Sequence, residues 1–147
     1  MKILIDTNVL LRAVQKDHLM HDRAVSAMAA HRAEGEQLCV ISQNLIEFWA
    51  VATRPIPNNG LGLTIQEAQQ EILNIKLLFA LHHDVTRIFK NWEHLVTKYQ
   101  VQGKQAHDAR IVAEMIAHDI KNILTFNIDD FKRYTEITAI LPLIVTT

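Results

Sequence analysis

Three short apolar runs, KILI at 2–5, QLCVI at 37–41 and NILTF at 122–126, are each too brief for a buried helix, and amphipathic stretches separate them. A strand that reads as one apolar run is covered on both faces, and long crossovers between such strands allow them to pair in parallel. The pattern therefore predicts an α/β fold of three layers, a central parallel sheet between helices, built as a single domain over 1–147.

The intervening stretches carry helix signals. A helix is expected from about Asn8, and HDRAVSAMAAHRAEG (21–35) gives another that stops at Gly35. SQNLIEFWAVAT (42–53) puts Leu45, Phe48, Trp49 and Ala52 on one face. RPIPNNGLGL (54–63), with two prolines and two glycines, must be a loop. Thr64 and Glu67 then form a capping-box pair ahead of IQEAQQEILNIKLLFAL (65–81), read as one helix with Ile65, Ala68, Ile72, Ile75 and Phe79 along its stripe. Val85, Ile88, Phe89, Trp92, Val96 and Tyr99 mark the next helix, and AHDARIVAEMIAHD (106–119) a further one. A last short strand is expected around Leu143–Val145.

A chain of 147 residues buries a real core, and a formal charge of −1 does not point to a strongly basic nucleic-acid binder. The charge leaves room for a nuclease whose phosphate contacts are few and local. Cys39 is the only cysteine and sits in an apolar run, so it reads as a small core residue in a reducing compartment. Asp6 interrupts the first apolar run before a signal sequence can form, and AILPLIV near the end is too short to span a bilayer. The expectation is a soluble cytoplasmic protein.

The chemistry lies in the acids. Ligand sites in open parallel sheets form beyond the carboxyl ends of the strands. Asp6 stands there after the first strand, and NIDDF, with Asn127, Asp129 and Asp130, follows the strand NILTF. Glu47 lies in the first turns of the helix after QLCVI, and Asp108 in the first turn of the helix before NILTF. Carboxylates gathered in this way repel one another unless a cation offsets the cost, and Mg²⁺ takes a few of them together with water. Helix capping accounts for Asp108 and Asp130 taken singly, and solvent exposure for Glu47. It accounts less well for Asp6, which closes a buried strand.

Other constellations offer little. The eight histidines, including HLMH (18–21) and LHHDV (81–85), have no partners at a zinc spacing. His107 beside Asp108 reads as a helix-start residue. No nucleophile elbow, P-loop or dinucleotide fingerprint is present. A phosphotransfer enzyme of the haloacid-dehalogenase type wants an Asp two residues after Asp6, where Asn8 stands. Trp49 and Trp92 fall on apolar stripes and read as core or interface.

Taken together, ILIDTNVLL, ISQNLIEFWAVATRP, GKQAHDARIVAEM and ILTFNIDDFKRY resemble the PIN-domain family, most closely its VapC-type toxin ribonucleases, and the resemblance covers essentially the full length. It implies a metal-dependent endoribonuclease, the toxin of a toxin–antitoxin pair, that hydrolyses RNA phosphodiesters to leave a 5′-phosphate and a 3′-hydroxyl. Asp6, Glu47 and Asp108 match the family's central acids, expected to bind Mg²⁺ or Mn²⁺, and Asp130 its more variable fourth. Asn127 stands where relatives often carry Asp, a departure that bears on a second metal. Thr7, Asn8, Thr125 and Asn127 would orient carboxylates, waters or substrate. Arg12, Arg54, Lys104, Arg110, Lys132 and Arg133 are candidate phosphate contacts. The implied partners are RNA, a small antitoxin and a second copy of the chain, the helices of 64–99 offering surface for either protein, and no membrane. The alternative is a catalytically inactive PIN-like module that binds RNA or protein.

Overall fold

The computed structural model describes residues 1–143. Its centre is a five-stranded parallel sheet in the order β3-β2-β1-β4-β5. The strands are β1 (Lys2–Ile5), β2 (Gln37–Ile41), β3 (Ala80–His82), β4 (Asn122–Leu124) and β5 (Thr138–Ile140). The helices are α1 (Thr7–Val14), α2 (His21–Ala33), α3 (Ser42–Ala52), α4 (Ile65–Leu78), α5 (Ile88–Lys98) and α6 (Gln105–Ala117). β1 pairs with β2 on one side and β4 on the other, Leu4 lying between Cys39 and Ile123.

Strand alternation sorts the core into two layers. Ile3, Ile5, Leu38, Val40 and Leu124 face α1 to α4. Leu4, Cys39, Ile41 and Ile123 face α5 and α6. Both faces of the middle strands are therefore dry, which is why their sequences carry no polar alternation. Cys39 is a free, buried thiol within this core. Among the described residues no helix is long and apolar enough to cross a membrane.

Three elements differ from expectation. The stretch 65–81 is not one helix: α4 ends at Leu78, and Ala80–His82 form the edge strand β3 against β2. The apolar stripe continues through Phe79 into the strand, so periodicity alone runs the two together. The last described strand is β5 at Thr138–Ile140, paired with β4. Of the strand expected around Leu143–Val145, Leu143 is exposed and outside any strand, and the remainder lies outside the described residues.

The order of strands sets the place of the site. The chain builds outward from β1 through β2 to β3, then returns across α5 and α6 to lay β4 on the other side of β1. β1 and β4 thus flank a topological switch point, where the loops leaving two adjacent strands part and open a crevice.

Candidate functional site

Asp6 is the residue immediately after β1 and the N-cap of α1. Its backbone N–H donates to the Leu124 carbonyl, so the last hydrogen bond of the β1–β4 ladder fixes it at the switch point. The side chain is 7 % exposed. Oδ1 accepts from the Thr7 N–H at 2.8 Å, and Oδ2 accepts from the Thr125 hydroxyl at 2.8 Å and the Asn8 amide at 3.3 Å. Asn8 also receives the Phe126 N–H, and the Thr125 hydroxyl receives the Asn127 N–H, so the two strand-end loops are stitched together around one carboxylate.

Glu47, on α3, is turned toward the same place. Gln43 donates to its Oε1 at 2.8 Å and the Thr7 hydroxyl to its Oε2 at 3.1 Å. Asn44 is fully buried between them; its side-chain Oδ1 accepts from the Ile41 N–H as β2 turns into α3, and its Nδ2 donates to the Thr7 hydroxyl. Asp108 comes from the first turn of α6, and Asp130 from the 3₁₀ turn Ile128–Asp130 that follows β4. These four acids, with Thr7, Asn8, Asn127 and Arg54, line one cleft of about 370 Å³. Thr125 is fully buried just behind it.

The electrostatics record how the acids are gathered. Burial, and then the negative charges of Glu47 and Asp130, push the Asp6 carboxyl up to about 6 against the hydrogen bonds it accepts. Burial, with Asp130, Asp6 and Glu47 as the nearby charges, raises Asp108 to about 6 as well. Carboxylates that raise one another in this way leave negative charge for a cation to offset. The donors facing the cleft are all oxygens, the set that suits a hard divalent cation. No three of the cleft acids bring ligand oxygens within 4.8 Å of one another; among the described residues only His31, Glu34 and Glu36 do so, beside the amino end of β2. The cleft is an open one, with room for waters between cation and carboxylates, which is how Mg²⁺ is usually held. The residues fit the ion.

The basic candidates separate sharply. Arg54 lines the cleft. Arg12 is tied to Gln15, Lys132 to Asp129, and Arg133 to Gln105. Lys104 precedes α6 as its N-cap and does not line the cleft. Arg110 is engaged with Gln43, Glu114 and Asp84 beside the cleft. Sequence reasoning passed over Gln43, Asn44 and Glu114. A signal existed for each: Gln43 stands four residues before Glu47 on one helix face, Asn44 begins a helix, and Glu114 interrupts the apolar stripe of α6.

A family model described as PIN domain matches residues 3–137. The chain belongs to the PIN-domain family. Solved structures of similar shape include VapBC2 from Rickettsia felis bound to a DNA fragment from its promoter, 16% identical over 96% of this chain and 98% of that one, with a TM-score of 0.74. DNA-bound VapBC from Salmonella typhimurium is 14% identical, with a TM-score of 0.70 and coverage of 97% and 99%. VapC20 from Mycobacterium tuberculosis, described as a sarcin-ricin loop cleaving toxin, is 18% identical, with a TM-score of 0.65 and coverage of 92% and 98%. At such identities these likenesses speak for the fold. Comparison by sequence with curated proteins returns no match. The largest departures from the sequence expectation, at α4, β3 and β5, fall on elements that carry none of the four acids.

Proposed function

We propose that this PIN domain is a metal-dependent endoribonuclease of the VapC type, the toxin of a toxin–antitoxin pair. The observation that carries the reading is the convergence of Asp6, Glu47, Asp108 and Asp130, from four distant segments, on one cleft at the carboxyl ends of the strands. Asp6, Glu47 and Asp108 would hold Mg²⁺ or Mn²⁺, with Asp130 and Asn127 at the rim. A divalent cation in that position supplies Lewis-acid activation of water and neutralises charge on a phosphodiester.

The chain's own groups do the rest. The Thr7 N–H and the Thr125 hydroxyl hold the Asp6 carboxylate in place on the wall of the cleft. Gln43 and Thr7 restrain both oxygens of Glu47. Arg54, the cation on the cleft wall, would hold a non-bridging phosphate oxygen of the substrate and offset charge developing there. The openness of the cleft suits a polymer strand that must lie across the carboxylates.

The partners follow from the same reading. Several of the similar structures are toxin–antitoxin assemblies, and a small antitoxin is proposed here as well. A second copy of the chain is the other proposed partner; α4 exposes Ile65, Leu73, Leu77 and Leu78, an apolar surface that a protein partner would cover.

The deciding experiment is cleavage of total cellular RNA by the purified, antitoxin-free chain with Mg²⁺ or Mn²⁺, beside EDTA and Asp6→Asn controls. Discrete cuts are expected that EDTA abolishes and that Asp6→Asn reduces at least about 100-fold, the scale on which loss of a transition-state electrostatic contact acts. A folded sample that cleaves no RNA with either metal would overturn the enzyme and leave the binding module.

A further inference from the structure

A hydrogen-bonded chain leads away from Glu47 into the interior of the α6 layer. Gln43 is 8 % exposed and makes three contacts in two directions. Its Nε2 donates to Glu47 Oε1 at 2.8 Å and to the His107 carbonyl at 3.1 Å. Its Oε1 accepts from Arg110 Nη1 at 2.9 Å. The amide can be oriented only this way, since the nitrogen faces two acceptors and the oxygen faces a guanidinium. Arg110 is held in turn by Glu114 at 3.0 Å and by Asp84 at 3.3 Å. Glu114 is fully buried, and its other oxygen, Oε1, has no hydrogen-bond partner among the described residues.

A carboxyl buried in an otherwise apolar helix face costs stability unless it is paired and hydrogen-bonded, and Glu114 is paired with Arg110. What Glu114 does is fix Arg110, and what Arg110 does inside the fold is present an N–H to Gln43. The consequence is that Gln43, with its three hydrogen bonds made, aims an N–H at Glu47. The direction matters: a glutamate at 43 would repel Glu47, and an aliphatic residue would leave its carboxylate held by Thr7 alone.

We infer that Gln43 is a positioning residue for Glu47, and that Arg110, braced by Glu114, acts on the metal-binding cleft through Gln43. The inference rests on the reading of Glu47 as a metal-holding group. Residues that orient a ligand from behind tune metal affinity about 10–100-fold.

The test is calorimetric titration of MnCl₂ into the full-length chain, with thermal unfolding in EDTA run on every variant. Gln43→Met keeps side-chain bulk while removing all three hydrogen bonds, and Gln43→Ala is the second version. Both are expected to weaken Mn²⁺ binding about 10-fold or more. Arg110→Ala is expected to weaken it less, and Gln43→Met/Arg110→Ala to be no weaker than Gln43→Met alone, because the hydrogen-bonded route from Arg110 to Glu47 runs through Gln43. Glu47→Gln separates the two readings. If Glu47→Gln binds Mn²⁺ as well as the parent, Glu47 is not a ligand and the inference falls with that reading. If Glu47→Gln loses affinity while folded Gln43→Met and Gln43→Ala do not, the positioning role alone is overturned. A double variant whose loss is the sum of the two single losses would overturn the relay from Arg110.

Discussion

At the scale of single residues, Asp6 is the position where sequence, fold and chemistry meet. Its backbone completes the β1–β4 ladder and caps α1, while its carboxylate is buried with three donors on one side and other acids on the other. The folded protein holds its proton more tightly than the unfolded chain, at about 6 against 3.8. With a raised carboxyl, the native state is favoured below the unfolded value and loses stability as pH rises between the two. For this nearly buried group the loss is on the order of 3 kcal/mol. Metal-free protein is therefore expected to lose stability from about pH 4 to about pH 7, and Asp6→Asn to flatten that loss. Denaturant titrations in EDTA at several pH values measure it. An unchanged slope in Asp6→Asn would mean that the carboxylate is not confined as described. The importance of Asp6 was legible in the sequence, because an acid closing a buried strand has few structural excuses. The supporting Gln43 and Asn44 were not, since an amide near a helix start is commonplace until its partner, 37 residues away in the case of Asn44 and Thr7, is known to be close.

At the scale of elements, the loop between α3 and α4 supplies part of the cleft wall through Arg54. Leu61 and Leu63 return their N–H groups to Val51 and Ala52, so the loop folds back onto the end of α3 and sets the position of Arg54. A Cβ on Gly60 would lie 1.9 Å from the Arg54 carbonyl oxygen, a backbone atom that cannot step aside alone because it accepts the Gly62 N–H. Gly60→Ala is expected to cost on the order of 1–3 kcal/mol and to displace Arg54 from the cleft wall. Thr64→Ala is the matched control: it removes the N-cap of α4, whose hydroxyl accepts from Glu67 N–H at 3.1 Å, and should cost about 1 kcal/mol without reaching the cleft. RNA cleavage below the thermal midpoint should fall in Gly60→Ala and hold in Thr64→Ala. Equal activity in the two would detach the loop from the site. Proline and glycine made this loop readable in advance, and the Thr64–Glu67 pair made the start of α4 readable. The end of α4 was hidden because Leu77, Leu78 and Phe79 prolong an apolar run into β3, where the switch from helix to strand is decided by pairing with Val40 and Ile41, not by local pattern.

At the scale of the whole molecule, the four acids come from four separate elements, and a cation gripping them would tie β1, α3, α6 and the turn after β4 into one unit. The sequence order of these elements made the fold class legible, whereas the distances between the acids depend on how α6 crosses back over the sheet, which only packing fixes. Stability should thus be linked to metal, and through the acids to pH. Asp6 and Asp108, both raised to about 6 without metal, must give up their protons for a cation to bind. Binding would therefore be weak below that value and strong above it, opposite in sense to the intrinsic pH dependence of the metal-free protein. At about 100 times its dissociation constant, Mn²⁺ should add about 2.7 kcal/mol, which for a chain of this size raises the melting temperature by roughly 5–10 °C. The increment should be largest near pH 8, shrink toward pH 5, reverse with EDTA and be lost in Asp6→Asn. Differential scanning calorimetry at fixed Mn²⁺ across that range decides it: an increment that does not grow with pH would place the cation on groups other than these carboxylates.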